Sequence, residues 1–158
     1  MGMIPNMYAR MVNSPALMRT YTVGYEGFRK ESGFTPAEQE VVLLSISHEN
    51  GCEYCVAARS FLADKMSNVP GAVTDAIRAN DTVSDARLGL LSQFTRHVLT
   101  SGGRPSRAKA NAFLAVGYTE VQILGIVLAI AVKTISNYSN HMFGTPLDEV
   151  FASRVYHA

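Results

Sequence analysis

The chain has 158 residues, 47% of them hydrophobic and 17% charged, and its 14 basic and 13 acidic side chains leave a net charge of +1. That length suits one domain over residues 1–158, able to bury a core without a metal or disulfide framework, and the composition is too apolar for a disordered chain. Such a balance of charge offers no general attraction for nucleic acid or an anionic membrane, and the sparse surface charge it implies suggests that partner subunits cover some apolar surface.

The N-terminal stretch MGMIPNMYARMVNSPALM has Pro5 and Arg10 where a secretory signal needs an apolar core. Asn6 stands where a myristoylation pattern needs Ser or Thr. The expectation is a soluble, cytoplasmic protein. A helix is read from about Ser14 to Ser32. Thr35-Pro36-Ala37-Glu38 is a capping box with proline at the first helical position, and the helix it opens, through EVVLLSISHE, stops at Asn50-Gly51. Another starts around Cys52 and continues through CVAARSFLADKM. Val69-Pro70 interrupts the pattern, and a short amphipathic helix follows to about Asn80. Ser84 is expected to cap ARLGLLSQFTRHVLT, which ends at Gly102-Gly103; Pro105-Ser106 opens AKANAFLAV, which closes at Gly117. Thr119-Glu120-Val121-Gln122 is a second capping box and begins the most apolar helix. Its longest apolar run, Val121 to Val132, is too short to cross a bilayer. No Asn-Gly hairpin separates alternating apolar residues, so the fold class is all-α.

The chain also echoes itself. Gly33-Phe34-Thr35 and Gly117-Tyr118-Thr119 each open a helix, and at the same offset Leu44 falls on Leu128, Ile46 on Ile130 and Tyr54 on Tyr138. Cys52-Glu53-Tyr54-Cys55 then falls on Ser136-Asn137-Tyr138-Ser139. This predicts a duplicated helical hairpin with one reactive copy and one carrying hydroxyls in place of thiols.

Cys52 and Cys55 are the only cysteines. A loop so small removes little entropy when closed, so the pair does not staple the fold. A thiol in the first turn of a helix meets unpaired N–H groups and the positive end of the helix dipole, which favour its thiolate. The i, i+3 spacing puts both sulfurs on one face, where one thiolate can attack an oxidant and the other resolve the product. A zinc site would need two further ligands, and no second Cys-x-x-Cys is present. Two inert buried thiols are the remaining alternative. There is no glycine-rich phosphate loop, and neither cofactor nor metal is expected. Arg104, Arg107 and Lys109 read as a solvated helix start, the seven methionines as core or subunit-interface filling, and His141 as a structural histidine.

Glu40, eleven intervening residues, then Cys52-Glu53-Tyr54-Cys55-Val56-Ala57-Ala58 resembles the core motif of the AhpD-like alkylhydroperoxidases, part of the carboxymuconolactone decarboxylase superfamily. The helical pattern from Thr35 to Lys65 and the closing Asn-His-x-x-x-Thr-Pro-Leu-Asp at Asn140 to Asp148 are similar as well. The resemblance implies an all-helical subunit in a homo-oligomer, trimer or hexamer, that reduces hydroperoxides and is recharged by a dithiol or lipoyl-type reductant. It implies that Cys55 is the peroxidatic thiolate, that Cys52 protonates the leaving oxygen and closes the disulfide, and that Glu40 serves a proton relay.

Arg59 stands where that family has a histidine. A guanidinium stays protonated, so it cannot pass a proton as an imidazole does. Arg59 lies one turn after Cys55 and can stabilise its thiolate. With the two helices antiparallel about Asn50-Gly51, it is also expected to form an ion pair with Glu40. His48, four residues before Cys52, is the candidate to replace the missing imidazole, and Tyr54 is a candidate substrate-binding residue. Three functions follow: a thiol-dependent antioxidant peroxidase; a low-turnover redox-responsive oligomer, which Arg59 favours; and a decarboxylase-type enzyme of the same superfamily, which the intact dithiol disfavours.

Overall fold

The computed structural model describes residues 2–158. The helices are α1 Asn6–Met11, α2 Pro15–Glu31, α3 Pro36–Glu49, α4 Glu53–Met66, α5 Gly71–Ala79, α6 Ala86–Thr100, α7 Arg107–Ala115 and α8 Glu120–Phe143, followed by a 3₁₀ helix over Glu149–Arg154. No strand occurs among the described residues, as the helix punctuation predicts.

The centre of the bundle is α3, whose residues from Glu38 to Ser47 are all buried. A helix enclosed on every side belongs to the interior of a domain, and α3 packs on α4, α6 and α8. Its start is fixed by reciprocal bonds between Thr35 and Glu38, and its end by Gly51, whose φ of +63° suits glycine at a helix C-terminus. The expected cap at Ser84 falls instead on Asp85, whose carboxylate accepts the Leu88 N–H at 2.8 Å. Both residues are cap-competent, but a carboxylate also complements the positive end of the helix dipole. The sequence pattern misses α1. It has only six residues and no side-chain cap, and it forms because Met7 and Met11 bury into the cluster that surrounds the cysteines.

Two expectations are corrected at α8. Its 24 residues are long and apolar enough to span a bilayer by length and composition, although the Val121–Val132 run alone is not. Its buried face nonetheless carries Gln122, Lys133, Ser136, Asn137 and Asn140, packed within the bundle. The duplicated hairpin is also absent. The helix starts do correspond: both carry complete capping boxes, Gly33 and Gly117 both have positive φ, and Phe34 and Tyr118 pack edge to face at 5.9 Å. Beyond that point α3 turns at Asn50-Gly51, whereas α8 runs unbroken through Thr134-Ile135, which offer no residue suited to a left-handed cap. Ser136 and Ser139 lie within that helix and bond back to the carbonyls of Lys133 and Ile135.

Candidate functional site

The tight turn at Asn50-Gly51 delivers Cys52 as the N-cap of α4 and Cys55 to its first turn. The Cys52 N–H donates to the Ser47 carbonyl at 3.0 Å, and the Asn50 amide donates to Asn137 on α8 at 2.8 Å, so the turn is tied to two helices. Both thiols are free and buried. Helix α8 lies across them. The Asn140 amide nitrogen donates to the Cys55 sulfur at 3.3 Å and stands 4.0 Å from that of Cys52. Two turns earlier is Lys133, 1% exposed, with no carboxylate within ion-pair distance among the described residues.

These contacts divide the two thiols. The Cys52 thiol donates to the Cys55 sulfur and holds Cys55 well below the usual thiol range; burial opposes this, and the charges of Lys133 and Arg59 assist it. Giving that hydrogen bond pushes Cys52 far up, and burial adds to the effect. These directions favour the thiolate at Cys55 and the thiol at Cys52.

Beyond Cys55 lies a network of guanidiniums. The Glu40 carboxylate is 2% exposed and pairs with Arg29 through one oxygen; its other oxygen is 3.6 Å from Arg59 Nη1. The Glu40–Arg59 pair is present as expected, with Arg29 as a second and closer partner. The hub is Tyr25, whose phenol oxygen accepts from Arg29 Nε at 2.9 Å, Arg29 Nη2 at 2.6 Å and Arg59 Nη1 at 2.8 Å. Burial raises the Tyr25 phenol, but Arg59 and Arg29 outweigh it and leave the group below its ordinary value. Glu40 is thus the counter-ion of two cations, and the acidified group at this point is a phenol.

Tyr54 donates its hydroxyl to Asp148 and packs edge-on against Phe151 at 6.2 Å. Asp148 also accepts the Asn6 N–H at 3.1 and 3.2 Å. The Tyr54 hydroxyl is therefore committed within the fold, and what it offers a substrate is its ring. That ring lines two cavities. One, of about 420 Å³, is walled by Tyr8, Tyr25, Arg59, Leu62 and Cys55; the other, of about 480 Å³, by Cys52, Asn140, His141, Thr145 and Tyr156. His48 lines neither. Its ring faces Arg96 at 3.5 Å and Tyr156, because the last turn of α3 points it toward α6. The structure does not bring His48 to the sulfurs, and its proposed place as the relay imidazole is corrected.

No protein-family model and no curated protein matches the sequence. Solved structures do match. A crystal structure from Ralstonia eutropha JMP134, described as an alkylhydroperoxidase AhpD core and an uncharacterized peroxidase-related protein, is 23% identical with a TM-score of 0.85 and covers 95% of this chain and 80% of its own. An uncharacterized peroxidase-related protein from Silicibacter sp. TM1040 is 16% identical with a TM-score of 0.84, covering 98% of this chain and 82% of its own. The chain has the AhpD fold.

Within the AhpD fold the structure gathers Cys52, Cys55, Glu40, Arg59 and Tyr54 and leaves out His48. Sequence reasoning missed Tyr25, Arg29 and Lys133, and it noted Asn140 and Asp148 only as the ends of a closing stretch. Two signals were available. Lys133 is the lone lysine or arginine of an apolar helix and lies seven residues from Asn140, on the same face; Tyr25 and Arg29 are an i, i+4 pair on α2. His141, read as structural, is exposed on the wall of the Cys52 cavity.

Proposed function

We propose that the protein is a cytoplasmic thiol peroxidase working through Cys55 and Cys52. The observation that supports this best is the Cys55 thiolate, held by the Cys52 thiol, Lys133, Arg59 and Asn140 on the wall of a cavity large enough for an organic hydroperoxide. The Cys55 sulfur attacks the terminal oxygen of R–O–O–H, the O–O bond breaks, and its electron pair leaves on the alkoxide. That alkoxide takes the Cys52 proton. The resulting Cys52 thiolate attacks the Cys55 sulfenic acid, forms the disulfide and expels hydroxide, which leaves to solvent and is neutralised by the buffer. A dithiol then restores the pair. Arg59 and Tyr25 line the same cavity and supply N–H and O–H donors to the departing oxygen.

Exposed Val121, Leu124 and Val127, three residues apart along α8, support assembly into a homo-oligomer, since an exposed apolar helix face favours a partner.

A second reading, a redox-responsive oligomer of low turnover, is favoured by one observation: Glu40 is occupied by two guanidiniums and no histidine lines the Cys55 cavity. One experiment separates the readings. Hydroperoxide consumption in the presence of a dithiol is followed for the wild type, Cys55→Ser and Arg59→His. A peroxidase turns over and loses activity in Cys55→Ser. An idle wild type that Arg59→His awakens supports the redox-responsive reading. Full activity in Cys55→Ser refutes both.

A further inference from the structure

The two cavities divide the cysteines between them. The first reaches Cys55 and not Cys52, and the second reaches Cys52 and not Cys55. Tyr54, between them in sequence, is the wall they share, fixed by Asp148 at its hydroxyl and by Phe151 at its ring. The dithiol is thus approached from two sides. We propose that the Cys52 cavity is the binding site of the dithiol reductant, which attacks the disulfide at the Cys52 sulfur without entering the Cys55 cavity where hydroperoxide reacts. This rests on the peroxidase reading for its cycle, but the site itself follows from the geometry.

The chemistry of disulfide exchange selects the same sulfur. In exchange, the sulfur that leaves best is the one most stable as a thiolate. Here that is Cys55, with Asn140 donating to it at 3.3 Å and Lys133 and Arg59 acting on it. Attack on Cys52 expels Cys55; attack on Cys55 would have to expel Cys52, which lacks that support. Proton acceptors follow the same division. His141 and His157 line the Cys52 cavity, and no histidine lines the other. An imidazole accepts a proton near neutral pH, so the Cys52 cavity is where an incoming thiol can be activated.

One reductant sulfur, as thiolate, bonds to Cys52; the Cys52–Cys55 bond breaks and its electron pair goes to Cys55. The second reductant sulfur, as thiolate, then attacks the first, breaks the bond to Cys52 and closes a cyclic disulfide. The reductant loses two electrons and two protons. The cysteine pair gains the electrons, Cys52 takes one proton, and the other passes through the imidazoles to solvent.

The test separates the half-reactions by stopped flow on the full chain. Thr145→Trp narrows the Cys52 cavity, and Leu62→Trp narrows the Cys55 cavity. Thr145→Trp is expected to slow disulfide reduction by dithiothreitol about tenfold or more while oxidation by tert-butyl hydroperoxide stays within about twofold, and Leu62→Trp is expected to do the reverse, because exchange rates follow access to the attacked sulfur. Equal slowing of both half-reactions by each variant, or unhindered reduction in Thr145→Trp, overturns the inference. A second measurement needs no variant. Wild-type disulfide treated with a monothiol is trapped and mapped by mass spectrometry: an adduct on Cys52 supports the assignment, and an adduct on Cys55 overturns it. If hydroperoxide does not oxidise the wild type, the peroxidase reading fails, while diamide-oxidised protein still decides the reduction site.

Discussion

Replacing Asn140 by leucine isolates one hydrogen bond on which the reactivity of the pair depends. The Asn140 amide nitrogen donates to the Cys55 sulfur at 3.3 Å, while its carbonyl oxygen is buried with no hydrogen-bond partner. Leucine keeps the branching at Cγ and is bulkier, so the change removes a donor to the thiolate and an unpaired acceptor together, without opening a cavity. A hydrogen bond to a charged group contributes about 1.5–3 kcal/mol, so loss of this donor lowers thiolate occupancy below its titration midpoint by roughly 10- to 150-fold. Global stability is expected to change by only about 1 kcal/mol, because the buried oxygen that nothing satisfies disappears as well. The assay is the rate of Cys55 alkylation by iodoacetamide as a function of pH, on Cys52→Ser and on Cys52→Ser/Asn140→Leu, so that a single thiol reports. The midpoint is expected to move up. An unchanged midpoint in a folded double variant would refute the account of Cys55 as a thiolate supported from α8.

Lys133→Met leaves buried Cys55 without its nearby cation, so it is expected to lower stability, because removing one partner of a buried charge pair costs more than replacing both, while Cys55 alkylation at neutral pH slows by about tenfold or more; alkylation at the wild-type rate would remove Lys133 from the site. Tyr25→Phe strands three guanidinium N–H donors and is expected to destabilise the fold by about 1–3 kcal/mol in urea titrations. The cysteines also impose a pH dependence on folding. Below about pH 8.5 an unfolded thiol is protonated, so folded Cys55 binds fewer protons than the unfolded chain and stability rises with pH, at about 1.4 kcal/mol per unit, once pH exceeds its folded midpoint. Above that pH the unfolded chain loses the Cys52 proton that the folded chain retains, and stability falls. Urea midpoints between pH 6 and 10 should therefore peak near the free-thiol value in the wild type and flatten in Cys52→Ser/Cys55→Ser. If the protein assembles as proposed, Leu124→Glu is expected to give monomers in light scattering where the wild type gives a larger mass, and an unaltered mass would place the subunit contact elsewhere.

The fold was legible because this sequence punctuates its helices: Thr35 and Thr119 open with complete capping boxes, and Gly51 closes α3 with the left-handed residue such an end requires. Where the pattern failed, the determining contact was tertiary. Nothing local marks α1, which forms because Met7 and Met11 find the cysteine cluster. At the site, neighbours in sequence were readable and neighbours across the bundle were not. The Glu40–Arg59 pair follows from counting along one hairpin, whereas Tyr25, Lys133 and Asn140 reach the same centre from α2 and α8. His48 misled for the same reason: closeness to Cys52 along the chain does not determine which way the last turn of a helix faces.

The pin between Tyr54 and Asp148, with Asn6 on the same carboxylate, also sets when during synthesis the site can exist. The cysteines leave the ribosome first, and Lys133, Asn140 and Asp148 follow 78 to 96 positions later. Until then Cys52 and Cys55 are an ordinary pair of thiols without their cation, their amide donor or a fixed wall between them. A growing chain therefore carries the motif without these contacts, which arise only when α8 and Asp148 pack against the start of α4.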